Sequence, residues 1–370
     1  MPIIEVASLE FDTGNGQYPN LIHISGNVYA IAYAGPDYDG WLKTVSISND
    51  GLTLSEIASL EFDTGNGTYI DFIHISGNVY AIAYEGPDVD GWLKTVSISN
   101  DGLTLSVIAS LEFDTGTGRG SSIIHISGNT YAIAYQGPGD DGWLKTVSIS
   151  NDGLTLSEIA SLEFDTIHGI SPFMLSIRSN VAVIAYRGPS TNMGSLKTVS
   201  ISNDGLTLSE IASLLEFDSS YRTFYIIHIS GNVYAIAYEG PNDDGWLKTV
   251  SISNDGATLS EIASLEFDTI AGTLPYIIHV SGNVYAIAYQ GRDADGFLKT
   301  LSISDDGATL SVIESLEFDT FGCQSPYIIH ISGNVYAIAY GLTSPDYDGW
   351  LKTVSISPLA TPRSFGSIIG

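Results

Sequence analysis

The chain has 370 residues, 42 of them Asp or Glu against 13 Lys or Arg, a formal net charge of −29, and 44% of it is hydrophobic. So few bases exclude nucleic acid as a partner, since phosphate binding needs clustered Lys and Arg, and no apolar run is long enough for a membrane-spanning helix. The single cysteine, Cys323, excludes an internal disulfide and a zinc site of the paired-cysteine kind.

Met1-Pro2-Ile3-Ile4-Glu5 runs straight into "IIEVASLEFD", which reads as a strand and leaves no room for a signal peptide. Four strands then follow in order. "LIHIS" is closed by a Ser25-Gly26-Asn27 turn; "VYAIAY" ends in the loop "AGPDYDG"; "WLKTVSIS" turns at Asn49-Asp50-Gly51; "LSEIASLEF" leads into the loop "DTGNGQYPN" type. Val, Ile, Tyr, Thr and Ser between Gly, Pro, Asn and Asp is strand-and-turn chemistry, and no segment carries a helical period.

This unit recurs. The residue before "LK" is Trp41, Trp92, Trp143, Ser195, Trp246, Phe297 and Trp350, and all seven lysines fall in the same frame. Four strands repeated about every fifty residues are the pattern of a β-propeller blade. The opening strand has no blade before it, and the last repeat stops after its third strand. The expected fold is therefore an all-β, seven-bladed propeller closed by the N-terminal strand, spanning 1–357, with 358–370 as a tail or linker.

Variation between copies gathers in two loops per blade, the one after "IAY" and the one joining blade to blade. Following the strands up and down places both on one face of the disc, opposite the repeated "SGN" and "NDG" turns. Blade four departs most, with Arg178, Arg187, Met193 and Ser195 where other blades carry the repeat residues.

The segment "SISNDGLTL" resembles the Asp-box of sialidases and related propellers, one residue shorter and ending in Leu54 where that family has Trp. The resemblance implies a structural turn in which Asp50 takes local backbone N–H groups. As a whole the repeats look like those of lectin, adhesin and viral or cell-surface propellers. A sialidase would need an arginine grip, and Arg119, Arg187, Arg222 and Arg292 all fall in variable loops.

Six histidines (His23, His74, His125, His228, His279 and His330) share one position, with Ser176 in blade four; the reading is buried side chains bonded to a neighbouring Ser, Thr or Asp. The repeat lysine is expected to pair with Asp39 or a Glu61-type residue. The pairs Asp37/Asp39, Asp88/Asp90, Asp293/Asp295 and Asp346/Asp348 are candidate hard-oxygen ligands for Ca²⁺, the one cofactor considered, although two carboxylates fall short of its six to eight oxygens. For a ligand, the candidates are Tyr18, Tyr69, Arg119, Arg187, Tyr225, Tyr276 and Tyr327, with Phe173 at the Tyr225 position of blade four. No residue is assigned a catalytic role.

These features lead to the expectation of a non-catalytic binding or display module, carbohydrate-binding in the lectin or adhesin manner, working through the variable face at a cell or virion surface. Its partner would be a glycan or a protein surface. A self-assembling structural component is the alternative, and a glycosidase the third reading.

Overall fold

In a computed structural model of the chain, residues 2–188, 193–218, 223–343 and 345–357 are described. The tail 358–370 and Arg222 lie outside them. Seven four-stranded antiparallel sheets are arranged as the blades of a propeller. Blade one runs from the inner strand Gln17–Ser25 through Val28–Ala34 and Asp39–Ile47 to the outer strand Leu54–Asn66. Blade seven takes its outer strand from the N-terminus: Ile3 pairs with Ile356 and Asp12 with Gly349, which closes the ring as the repeat pattern requires.

The second strand of each blade explains how the blades pack. It is buried on both faces because a neighbour covers each, so its sequence does not alternate apolar with polar; it alternates large with small. Tyr29, Ile31 and Tyr33 pack on Ala337 and Ala339 of blade seven, while Ala30 and Ala32 receive Tyr80, Ile82 and Tyr84 of blade two. Fully burying such side chains stabilises by about 1.5–3 kcal/mol each, and the pattern repeats round the ring.

Polar contacts then fix the spacing. The Thr44 hydroxyl donates to the carbonyl of Gly102 in the next blade at 2.7 Å, and the same bond recurs up to Thr353 and Gly51 across the closure. Gly51 has φ of +73° and lies so close to Val335 that a Cβ would sit 2.8 Å from its Cγ1, so the turn needs glycine twice over. Thr300, whose partner turn is missing from the blade completed by the N-terminal strand, has a hydroxyl with no partner among the described residues.

Each "IAY" tyrosine is buried, and among the described residues six of their hydroxyls donate to the aspartate at the end of the preceding outer strand, as in Tyr33 to Asp12 at 2.7 Å. The repeat lysine reaches that same strand, which corrects the expected pairing with Asp39 or Glu61. Lys94 donates to Asp63 and to the Phe62 carbonyl, both at 2.6 Å, while Lys43, besides reaching the Phe11 carbonyl, lies 3.3 Å from Glu56 of its own blade's outer strand. The histidines are corrected as well. They are exposed, and His23 Nε2 donates to the carbonyl of Gly26 in its own turn at 2.9 Å. At the "NDG" turns, Ser48 donates to Asp50 at 2.6 Å and Asp50 accepts the Leu52 N–H at 3.1 Å, so this aspartate is structural.

Candidate functional site in the central channel

Six of the inner strands open with a bulge. In blade one the register slips between Gln17 and Asn20, and Tyr18 between them sits at φ +52°; Tyr69, Ser171, Leu274 and Ser325 repeat this left-handed conformation, and blade three uses Gly120. A bulge re-aims the residues that follow it. In those six blades it sends one residue, three before the repeat-histidine position, toward the channel axis, and Tyr225 holds the same position in blade five, so the girdle is Asn20, Asp71, Ser122, Phe173, Tyr225, Tyr276 and Tyr327.

This girdle has two halves. From Phe173 to Tyr327 the rings stack in series, with centroids 4.2, 3.8 and 4.1 Å apart. The Tyr225 hydroxyl donates to that of Tyr276, which is hydrogen-bonded in turn to Tyr327, and Asn20 bonds Tyr327. Burial pushes all three phenols well above their ordinary range. The polar half is Asn20, Asp71 and Ser122. Asp71 Oδ1 accepts from Asn20 Nδ2 at 3.2 Å and from the Phe72 N–H at 3.0 Å; Oδ2 accepts the Ile123 N–H of the next blade at 2.8 Å. Ser122 also bonds Asp71.

No ion pair joins Asp71 to a lysine or arginine among the described residues. Burial raises its carboxyl, and the donors from Ile123, Phe72, Asn20 and Ser122 only partly offset this, leaving it at about 6. Above the girdle the channel widens into a funnel of 760 Å³ walled by Tyr18, Tyr69, Glu85, Arg119, Gln136 and Arg187, and it continues into a 370 Å³ cavity at the girdle itself. Both volumes suit a small ligand. Tyr18 and Tyr69 stack at 4.6 Å, and Arg119 lies 3.2 Å from the buried Glu85. Besides Glu85 Oε2, which faces Arg119, three buried polar atoms lining this space have no hydrogen-bond partner among the described residues: Asn20 Oδ1, Ser121 Oγ and Thr223 Oγ1. Native interiors rarely leave such atoms unpaired, so they mark where a ligand or water completes the site.

The structure thus brings together all seven residues singled out as ligand candidates, Tyr18, Tyr69, Arg119, Arg187, Tyr225, Tyr276 and Tyr327, around one channel. Sequence reasoning missed Asp71, Asn20, Ser121 and Ser122. For Asn20, Asp71 and Ser122 the signal was present, because they stand in the frame of Tyr225, Tyr276 and Tyr327, but the polar members were not compared with the aromatic ones; Ser121, one residue earlier, carried no such signal.

The acidic loops are elsewhere. Asp37, Asp88 and Asp293 sit at φ of 58–59° in single-turn 3₁₀ segments. Asp39, Asp90, Asp295 and Asp348 each meet a carboxyl of the adjoining outer strand (Glu61, Glu112, Glu317 and Glu10), and Asp346 lies in the loop before Asp348. Among the described residues no three acidic, His or Cys side chains are grouped so as to hold a metal ion. No described helix is long and apolar enough to cross a membrane.

No protein-family model and no curated protein sequence matches the chain. Solved structures do. A periplasmic gluconolactonase of Pseudomonas aeruginosa is 14% identical with a TM-score of 0.60, covering 79% of this chain and 82% of its own. Candidate 6-phosphogluconolactonases of Bacteroides fragilis (TM-score 0.61, 90% and 95% covered) and Bacteroides uniformis (0.62, 90% and 96%) are also 14% identical. These likenesses correct the expectation of a non-catalytic binding or display module, or of a structural component: the propellers named are lactonases, and the ligand-sized space here lies in the channel around a half-buried carboxylate. They do not show the likeness to lectin and sialidase propellers, and at this identity what the chain shares with its neighbours is the seven-bladed propeller fold.

Proposed function

We propose that the chain is a hydrolase of cyclic esters, with Asp71 as general base at the girdle. The observation that carries this reading is a half-buried carboxylate at the floor of an open funnel, with no ion-pair partner among the described residues and an affinity for protons near neutrality. Fold neighbours that are a gluconolactonase and candidate 6-phosphogluconolactonases support the choice of substrate class.

In this scheme Asp71 takes a proton from water as the water oxygen attacks the lactone carbonyl. The Ser121 and Thr223 hydroxyls, which have no partner among the described residues, donate to the oxygen that gains negative charge. The ring C–O bond then breaks, and the proton held by Asp71 passes to the departing alkoxide. The product is the open hydroxy acid, and water is the only co-reactant.

The test is acid release from a lactone panel, including glucono-δ-lactone and γ-lactones, followed by pH-stat. Asp71→Asn is expected to lower kcat/KM by at least about 100-fold while the protein still melts cooperatively. Acid release no faster than in buffer for every lactone, or an undiminished Asp71→Asn variant, overturns the reading.

A further inference from the structure

The girdle does not seal the channel evenly. Tyr225, Tyr276 and Tyr327 fill three blades' worth of it, and Phe173 a fourth, whereas blade three contributes only Ser122, the smallest residue at that position. The 370 Å³ cavity slips past the girdle beside this serine. Below it the lining is Ile124 and Leu175, with the Phe173 ring on one side and Ile123 and Met174 behind.

Ile124 and Leu175 each follow their girdle residue by two, so they lie on the same strand face roughly 7 Å deeper. In the other five blades this position is Ile22, Ile73, Ile227, Ile278 and Ile329, so the deeper layer is aliphatic throughout. All seven are half-buried, leaving apolar surface open along the channel. The unpartnered polar atoms, by contrast, belong to the inner-strand openings of blades one, three and five (Asn20, Ser121, Thr223), at or above the girdle. A ligand matching both layers is amphiphilic, with a hydrogen-bonding head in the funnel and a narrow apolar tail below.

We infer that the substrate is a lactone bearing a linear alkyl substituent, its ring beside Asp71 and its tail passing Ser122 onto Ile124 and Leu175. This rests on the cyclic-ester reading of the funnel and narrows it, since a bare or phosphorylated sugar lactone has nothing to place against the aliphatic layer. The tail lies against fixed apolar walls, so its binding energy grows with each carbon until the cavity is full.

The experiment is a series of γ-lactones with n-alkyl groups from methyl to hexyl, with the corresponding γ-lactams as non-hydrolysed probes in calorimetric titration. The expected result is a rise in kcat/KM, and in lactam affinity, of about fourfold per methylene. Leu175→Trp, which fills the floor, is expected to flatten the series; Leu175→Ala, which deepens it, shifts the optimum to a longer chain. Turnover with a flat series and flat lactam affinity overturns the inference and leaves the hydrolase reading standing. Chain-dependent lactam binding without lactone turnover removes the hydrolase reading and overturns the substrate claim with it, leaving the channel as a binder of such amphiphiles. No lactam binding at any length, in protein that melts cooperatively, overturns the inference.

Discussion

At the scale of single residues, Asp71 concentrates the chemistry. Its carboxyl is raised from 3.8 to about 6, first by burial, against the pull of four donors. A general base must be ionised, so kcat/KM is expected to rise with pH through a midpoint near 6 and level off above it, measurable as a pH–rate profile. Asn20 donates to Asp71 at 3.2 Å. Asn20→Asp replaces that donor with a second acid, and a like charge at this distance is expected to move the midpoint upward by about one pH unit or more. Stability follows the same group with a definite sign. A carboxyl whose folded value is raised contributes most below its unfolded value near 3.8 and loses that contribution as pH rises through about 6. The stability of the wild type relative to Asp71→Asn is therefore expected to decline between pH 4 and 7 in urea titrations.

At the scale of strands and turns, the blades are held in register by hydroxyls as much as by apolar faces. Thr44 Oγ1 donates to the Gly102 carbonyl and accepts the Ala58 N–H at 3.1 Å, so one side chain ties the third strand to its own outer strand and to the next blade's turn. Thr44→Val keeps the volume and leaves both groups without a partner in a buried place. The expected loss is about 2 kcal/mol, read as a shift of the urea midpoint with unchanged m. Thr300 already lacks that bond among the described residues, so Thr300→Val is the internal control and is expected to change stability far less.

At the scale of the whole molecule, the ring is one cooperative object closed by a strand borrowed from the other end of the chain. The strand Ile3–Asp12 covers the edge of Gly349–Ile356, buries Phe11 and brings Glu5 within 3.5 Å of Lys352. A chain beginning at Gly14 would expose that edge and lose the Phe11 packing. Its melting temperature is expected to fall by more than about 10 °C, and a peptide of residues 2–13 added in trans is expected to restore much of it. A variant melting like the full chain would mean that the closure contributes little.

The propeller was legible from the chain alone because its cause is local and repeated. Seven copies of four strand-and-turn segments, with a spare strand at one end and a missing one at the other, admit one closed arrangement that leaves no edge exposed. The Ca²⁺ candidates were read from the same kind of local pattern, which did not contain the glutamates of the outer strands that Asp39 and its counterparts meet, because partners across a sheet are set by register. The lysine and histidine partners differed for the same reason. What only the tertiary structure decided was the channel. Tyr225 and Asp71 lie in different blades, with nothing in either blade's local sequence linking them. The bulge at the start of six inner strands turns one residue of each toward the axis, and ring closure alone sets an aromatic half against a polar half with Ser122 as the gap between them.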